Sequence, residues 1–307
     1  MKILFMGTPE FAVPSLGILL ENNYEIPAVV TVPDKPKGRG LQMQFPAVKQ
    51  FANENNLNVL QPVSLKDESF IKILKSYNPD LIIVVAFRIL PREVYSLPKI
   101  GSFNLHASLL PKYRGAAPIN WALIKGEEQT GVTTFFLQDK VDTGNIILQK
   151  SIPVESSDNA GTLHDKLSVL GSQTVLETVK LIESGKYSLQ NQDDSLATKA
   201  PKIFKDDCRI NWNQKSDIIF NFIRGLSPYP AAFSFLQNKQ IKIFSSALTS
   251  LPSTGLPGVV SIIQNKLFVN TLDYLLEIRE LQLEGKKRIS SSDFINGLQS
   301  QIDLFFE

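Results

Sequence analysis

The six residues Leu81-Ile82-Ile83-Val84-Val85-Ala86 form the most constraining run in the chain. Nothing in them alternates, so a strand made from them is apolar on both faces and has to be covered on both. Such a strand belongs inside a parallel sheet flanked by helices. The neighbouring patterns agree. A second apolar run opens the chain and stops at Gly7-Thr8-Pro9; Pro9 suits the first turn of a helix bearing Phe11, Leu16, Leu19 and Leu20. Further strands are predicted at 26–32, 57–60, 100–105, 132–137 and 146–152, with helices at 48–55, 70–77, 118–124 and 163–182. Alternation of this kind implies right-handed βαβ units. The predicted fold class is α/β: a Rossmann-like, mainly parallel sheet with helices on both faces. Beyond a polar stretch at 188–201 the pattern changes to short strands, at 209–212, 232–235, 241–245, 258–263, 267–269 and 275–281, with one helix at 216–225. That predicts a smaller β-barrel of OB type. The expected domains are residues 1–187, a linker at 188–204, and a barrel at 205–307.

Several classes of function drop out early. The 307 residues carry a net charge of only +2, far from the global field of a strongly basic nucleic-acid binder, although a local patch stays open. The single cysteine, Cys208, allows no intrachain disulfide and fits a reducing compartment. No apolar run reaches membrane-spanning length and the first residues lack a cleavage pattern, so a cytoplasmic chain with no membrane partner is expected. The turn after the first strand, Gly7-Thr-Pro9-Glu-Phe-Ala12, lacks the second glycine of a dinucleotide fingerprint, which argues against NAD. Two histidines and one cysteine offer no metal-ligand cluster, so no metal is expected.

What stands out is the end of the strand at 100–105. Residues i and i+2 of a strand project from one face, so Asn104 and His106 point the same way. Open α/β sheets bind ligands at the carboxyl ends of their strands. An amide donor beside a titratable imidazole suits attack on a carbonyl. Ser108 is not in a G-x-S-x-G setting and is no nucleophile on that ground. Asp142, in Asp142-Thr-Gly144, is good turn chemistry by itself, and its spatial relation to His106 is open from spacing alone. His164, inside a helix pattern, reads as structural. The segment 34–40, with Lys35, Lys37 and Arg39 among prolines and glycines, reads either as a solvated loop or as a basic loop that touches phosphates. The same pair of readings applies to Lys286-Lys287-Arg288.

The stretch Asn104-Leu-His106-Ala-Ser108-Leu109-Leu110-Pro111-Lys-Tyr-Arg114-Gly115, with Asp142-Thr-Gly144, resembles the signature of formyltransferases that use 10-formyltetrahydrofolate. The Gly7-Thr8-Pro9-Glu10-Phe11-Ala12 turn, the basic segment around Arg39, the run Ile223-Arg224-Gly-Leu-Ser-Pro228-Tyr-Pro230 and the run Leu281–Arg288 resemble the branch of that family that formylates methionyl-tRNA. The resemblance covers almost the whole chain. It implies a catalytic trio of Asn104, His106 and Asp142. It implies 10-formyltetrahydrofolate as co-substrate, held by Ser108, Leu109, Leu110 and Pro111 with Phe87 and Arg88 nearby. One departure is Phe87-Arg88, where many members carry Tyr-Gly. It also implies initiator methionyl-tRNA as partner, contacted by Lys35, Lys37, Arg39, Lys286, Lys287 and Arg288, and a chain acting as a monomer. An amino-sugar formyltransferase, sharing the catalytic domain, and a non-catalytic RNA-binding module are the rival readings.

Overall fold

The computed structural model describes residues 1–37, 42–298 and 304–307. The chain divides into two compact units interleaved along the sequence. Residues 1–115, 130–152 and 164–200 form the first, and 116–129, 153–163 and 201–307 form the second.

The first unit carries a seven-stranded sheet. Its strands are β1 (Lys2–Gly7), β2 (Glu25–Val30), β3 (Val59–Leu60), β4 (Leu81–Val85), β5 (Gly101–His106), β6 (Gln129–Phe136) and β7 (Ile146–Pro153), in the order β7-β6-β5-β4-β1-β2-β3. Strands β1 to β5 are parallel, and β6 runs antiparallel to β5. All five residues of β4 are buried, as its unbroken aliphatic pattern requires. One sheet face packs Leu4, Met6, Ala28, Val30, Ile82 and Val84 against Phe70 and Leu74 of the helix Glu68–Ser76. The chain runs outward from β1 to β3, then crosses back to β4 and β5. That reversal sets a crevice at the carboxyl ends of β1 and β4, where Gly7 and Val85 pair. The long helix Ala160–Ser184 ends at Gly185, whose φ of 64° is the left-handed conformation that glycine reaches without a Cβ penalty.

Two segments of this unit differ from their sequence reading. The basic segment is not a plain loop: Lys35–Lys37 and Gln42–Gln44 pair as an antiparallel hairpin. Residues 38–41, Arg39 among them, lie outside the described residues. At the root of the hairpin Asp34 accepts from Lys49 at 2.5 Å and from Gln61 at 2.7 Å, and the Lys49 bond foremost holds the Asp34 carboxyl below its usual range. The polar run 188–201, read as a linker, makes ordered pairings inside the first unit as far as Ala200. Gln190 bridges Ile146, and Lys199–Ala200 pairs with Arg114–Gly115.

The second unit holds β8 (Ala232–Leu236), β9 (Lys239–Ala247), β10 (Val260–Ile263), β11 (Lys266–Asn270) and β12 (Leu275–Leu283), antiparallel in the order β8-β9-β12-β11-β10. Residues 304–307 join its two edges. Val260 N donates to Leu304 O at 2.9 Å on the β10 side, and Glu307 N donates to Phe235 O at 3.0 Å on the β8 side. The sheet is thereby closed into a barrel around Ile241, Ile243, Leu267, Val269, Ile278 and Phe306. The predicted strand at 209–212 does not form. Ile210 N reaches Phe233 O, but Asn211 then accepts from Asn213 N at 3.0 Å, and that side-chain turn ends the pairing after one bridge.

Candidate active site

β5 delivers Asn104 and His106 to its carboxyl end from the same face, flanked by β4 through Asn104–Val84 and by β6 through His106–Thr133. The Asn104 amide has no hydrogen-bond partner among the described residues. The His106 ring is buried, with Nε2 at 2.9 Å from the carbonyl oxygen of Tyr113. A carbonyl can only accept, so Nε2 carries a proton in this contact. The opposite nitrogen, Nδ1, lies 3.9 Å from Asp142 Oδ2. Asp142, which spacing alone could not connect to His106, therefore meets the two strand residues at one strand end. Asp142 Oδ2 also accepts from Gly115 N at 2.9 Å.

Backbone conformations here are ones that ordinary residues seldom adopt. Tyr113 has φ 61° and Asp142 has φ 56°. Strain of this kind persists only where surrounding contacts over-determine it. At Tyr113 the contacts are Thr198, which takes its N–H at 2.8 Å, and His106 on its carbonyl. At Asp142 the next turn is fixed by Gly144, where a Cβ would sit 1.6 Å from the Phe136 carbonyl oxygen. The glycine of Asp142-Thr-Gly144 is thus demanded by a close backbone approach. The run 188–201 also reaches this turn. Gln192 Nε2 donates to Asp142 O at 3.0 Å and Gly144 O at 2.8 Å, while its Oε1 accepts from Arg114 Nε and NH2 at 3.0 and 2.7 Å.

The segment Ser108–Pro111 is itself tightly held. Ser108 Oγ donates to Lys112 O at 2.6 Å. Thr133 Oγ1 donates to Ser108 O at 2.6 Å, and Gln149 Nε2 reaches Leu110 O at 2.7 Å. Ser108 and Leu110 are buried in this arrangement, Leu110 against Phe135 and Ile146, and Leu109 and Pro111 are partly exposed. The side chains of Ser108 and Leu110 thus serve the loop itself. Phe87 and Arg88 follow β4 at the crevice. Arg88 is half-buried. Its NH1 and NH2 donate to Val63 O and Pro62 O at 3.0 and 2.8 Å, and burial pulls its guanidinium below the usual arginine value. Arg88 ties down the 62–63 loop. Thr133, Gln149, Gln192 and Thr198 carry no motif, and their roles were not visible in the sequence.

The expected RNA-contacting residues fall on both units. Lys35 is exposed on the hairpin, and Lys37 closes its arm opposite Gln42. Lys286, Lys287 and Arg288 are exposed at the turn after β12, with Arg288 paired to Glu280 and set over the Phe244 ring at 4.5 Å. Among the described residues no group of His, Cys, Asp and Glu could hold a metal, and no helix is long and apolar enough to cross a membrane.

This geometry can be set beside known proteins. Residues 1–179 match the family model described as formyl transferase, and residues 202–299 match that of the formyl transferase C-terminal domain. A protein of Flavobacterium johnsoniae named methionyl-tRNA formyltransferase is 48% identical over 97% of this chain and 96% of its own length. A protein of the same name from Thermodesulfovibrio yellowstonii is also 48% identical, over 96% and 95%. Among solved structures, the sugar 3N-formyl transferase WlaRD, studied with dTDP and 5-N-formyl-THF, shares the fold at a TM-score of 0.69 and 23% identity, over 94% of this chain and 99% of that one. Matched in both domains and along nearly its whole length, the chain belongs to the formyl transferase family, on the branch of the methionyl-tRNA formyltransferases.

Proposed function

We propose that this protein transfers a formyl group from 10-formyltetrahydrofolate to the α-amine of initiator methionyl-tRNA. The observation that carries the reading is the convergence of Asn104, His106 and Asp142 at the end of β5 in a chain related along its whole length to methionyl-tRNA formyltransferases. The folate supplies an activated formyl carbon. The unpartnered Asn104 amide fits the oxygen of that group, where negative charge builds during attack, and donors placed at such an oxygen are among the largest contributors to catalysis. The attacking amine has to be neutral; free α-amino groups titrate near about 7.7–8.0, so a useful fraction is neutral at physiological pH. As its nitrogen bonds to the formyl carbon, the amine proton passes by way of His106 Nδ1 to the departing folate nitrogen, whose bond to carbon then breaks. Asp142 faces Nδ1 and orients the ring. The products are formylmethionyl-tRNA and tetrahydrofolate.

The acceptor assignment draws on the relatives' names and on two basic surface features, the barrel itself being shared with a sugar formyltransferase that aligns over 94% of this chain. One is the basic hairpin anchored at Asp34, and the other is the cluster of Lys286, Lys287 and Arg288 at the barrel surface. A single chain supplies every residue named, so a monomer suffices, and the reading places the activity in the cytoplasm with translation. Incubation with 10-formyltetrahydrofolate and charged initiator tRNA, beside elongator tRNA and small primary amines, tests it. Formylmethionyl-tRNA is the expected product. Formylation of a small amine but not of methionyl-tRNA would transfer the chain to the amino-sugar reading.

A further inference from the structure

The carboxamide of Gln192 uses all of its hydrogen-bonding capacity. Both Nε2 hydrogens go to carbonyls, Asp142 O and Gly144 O, and both Oε1 lone pairs take N–H groups from Arg114. The orientation of the amide is therefore fixed, since a flipped group would set oxygen against two carbonyls and nitrogen against a guanidinium. Gln192 thus fastens the turn holding Asp142 to the loop holding Tyr113 and Gly115. Those are the two loops that touch His106, one through the Tyr113 carbonyl on Nε2 and the other through Asp142 opposite Nδ1. Gly115 N, next to Arg114, meets the Asp142 carboxylate itself. Among the described residues no hydrogen bond from β5 holds Asp142, so the cross-link through Gln192, together with the Gly115 N–H, positions the carboxylate against the imidazole. Asp142 also sits in the left-handed region at φ 56°, a conformation that relaxes once its restraints are cut.

We propose that Gln192 is a positioning residue for Asp142: by clamping the Asp142–Gly144 turn to Arg114 it holds the carboxylate in place against His106. The assignment rests on the formyl-transfer reading of the site. It predicts a dependence on the two N–H groups of the amide, not merely on a side chain that fills the space. The test is formyl transfer by Gln192→Ala and Gln192→Glu. Glutamate keeps the size and the partnership with Arg114 but loses both donors and presents an oxygen to the two carbonyls. A catalytic group displaced by about 1 Å can cost on the order of 100-fold. Both variants should lose about 10-fold or more in kcat, with KM for each substrate within about twofold. Combined with Asp142→Asn, either change should cost little further, because a residue acting through Asp142 has nothing left to act on. Asp194→Ala removes only the exposed second partner of Arg114 and should leave kcat within about twofold. Gln192→Glu at unaltered kcat would overturn the proposal and reduce Gln192 to a brace for Arg114. Full additivity with Asp142→Asn would overturn it equally. If the unaltered chain fails to formylate methionyl-tRNA or any amine, the functional reading fails first and the positioning role falls with it.

Discussion

Asn104 and His106 reach the site by strand alternation alone, and this is why they were legible. A two-residue spacing at the end of a recognisable strand fixes their common face whatever surrounds it. Asp142 has no such anchor. Its place depends on a positive φ, on the close approach at Gly144 and on Gln192, a residue in a polar run with no motif. Arg88 shows the converse. It stands at a position tied to the folate by resemblance, yet its guanidinium is engaged with the Pro62 and Val63 carbonyls. For Asn104 the consequence is direct. Loss of one donor at a developing oxyanion typically costs about 10²–10³ in turnover. Asn104→Ala should lower kcat by that order while changing KM far less, and steady-state kinetics at saturating folate reads the two separately. A kcat near that of the parent would remove Asn104 from the reaction.

At the level of elements, apolar periodicity located the longer strands and helices, but it passed over the short helices Arg92–Tyr95 and Ser291–Asn296 and three other features. The pairing of Lys199–Ala200 with Arg114–Gly115 and the missing strand at 209–212 turn on polar groups whose partners are distant in sequence or side-chain based, while the hairpin at Lys35–Lys37 is a polar local pairing with no apolar alternation to mark it. The helix Ser216–Leu226 gives another case. It starts at Lys215, which offers no capping side chain. Its first N–H groups need an acceptor, and Asp273, fifty-seven residues on, supplies one to Ser216 N at 2.8 Å. Asp273 accepts from Tyr274 N and Thr271 Oγ1 as well. Burial works to raise the Asp273 carboxyl, but the bonds from Ser216 and Tyr274 outweigh it and the net shift is downward. A carboxyl lowered by folding stabilises the native state above its unfolded value, near about 3.9, and that contribution is lost as pH falls through the folded value. Hydrogen bonds to a charged acceptor are worth about 1.5–3 kcal/mol. Asp273→Ala should therefore lower the melting temperature by several degrees at pH 7, and the gap to the parent should narrow as pH drops below about 4. Thermal melts at pH 7 and at pH 3 measure both.

For the molecule as a whole, a net charge of +2 means that any grip on RNA comes from placed charges and not from an overall field. The hairpin is the natural place to look. Arg39→Ala should lower kcat/KM for methionyl-tRNA and flatten its dependence on salt, because each phosphate left without its cation takes about one unit off the log–log slope. Slow hydrolysis of the folate by the same variant should stay at the parent rate. Equal losses in both reactions would mean that the segment supports the folate site instead.

The interleaving of the two units has a further consequence, which concerns how the chain is made. The helix Pro118–Ile124 belongs to the second unit, where Ala122 and Leu123 are fully buried and the Asn120 amide donates to Gly225 O at 2.8 Å. Its partner helix, Ser216–Leu226, is translated roughly ninety residues later, a delay of about 5–20 s at ~5–20 residues per second. Throughout that interval the nascent chain carries this helix without its partner from Ser216–Leu226. The packing of Pro118–Ile124 is thus completed only after the residues up to Leu226 have been made.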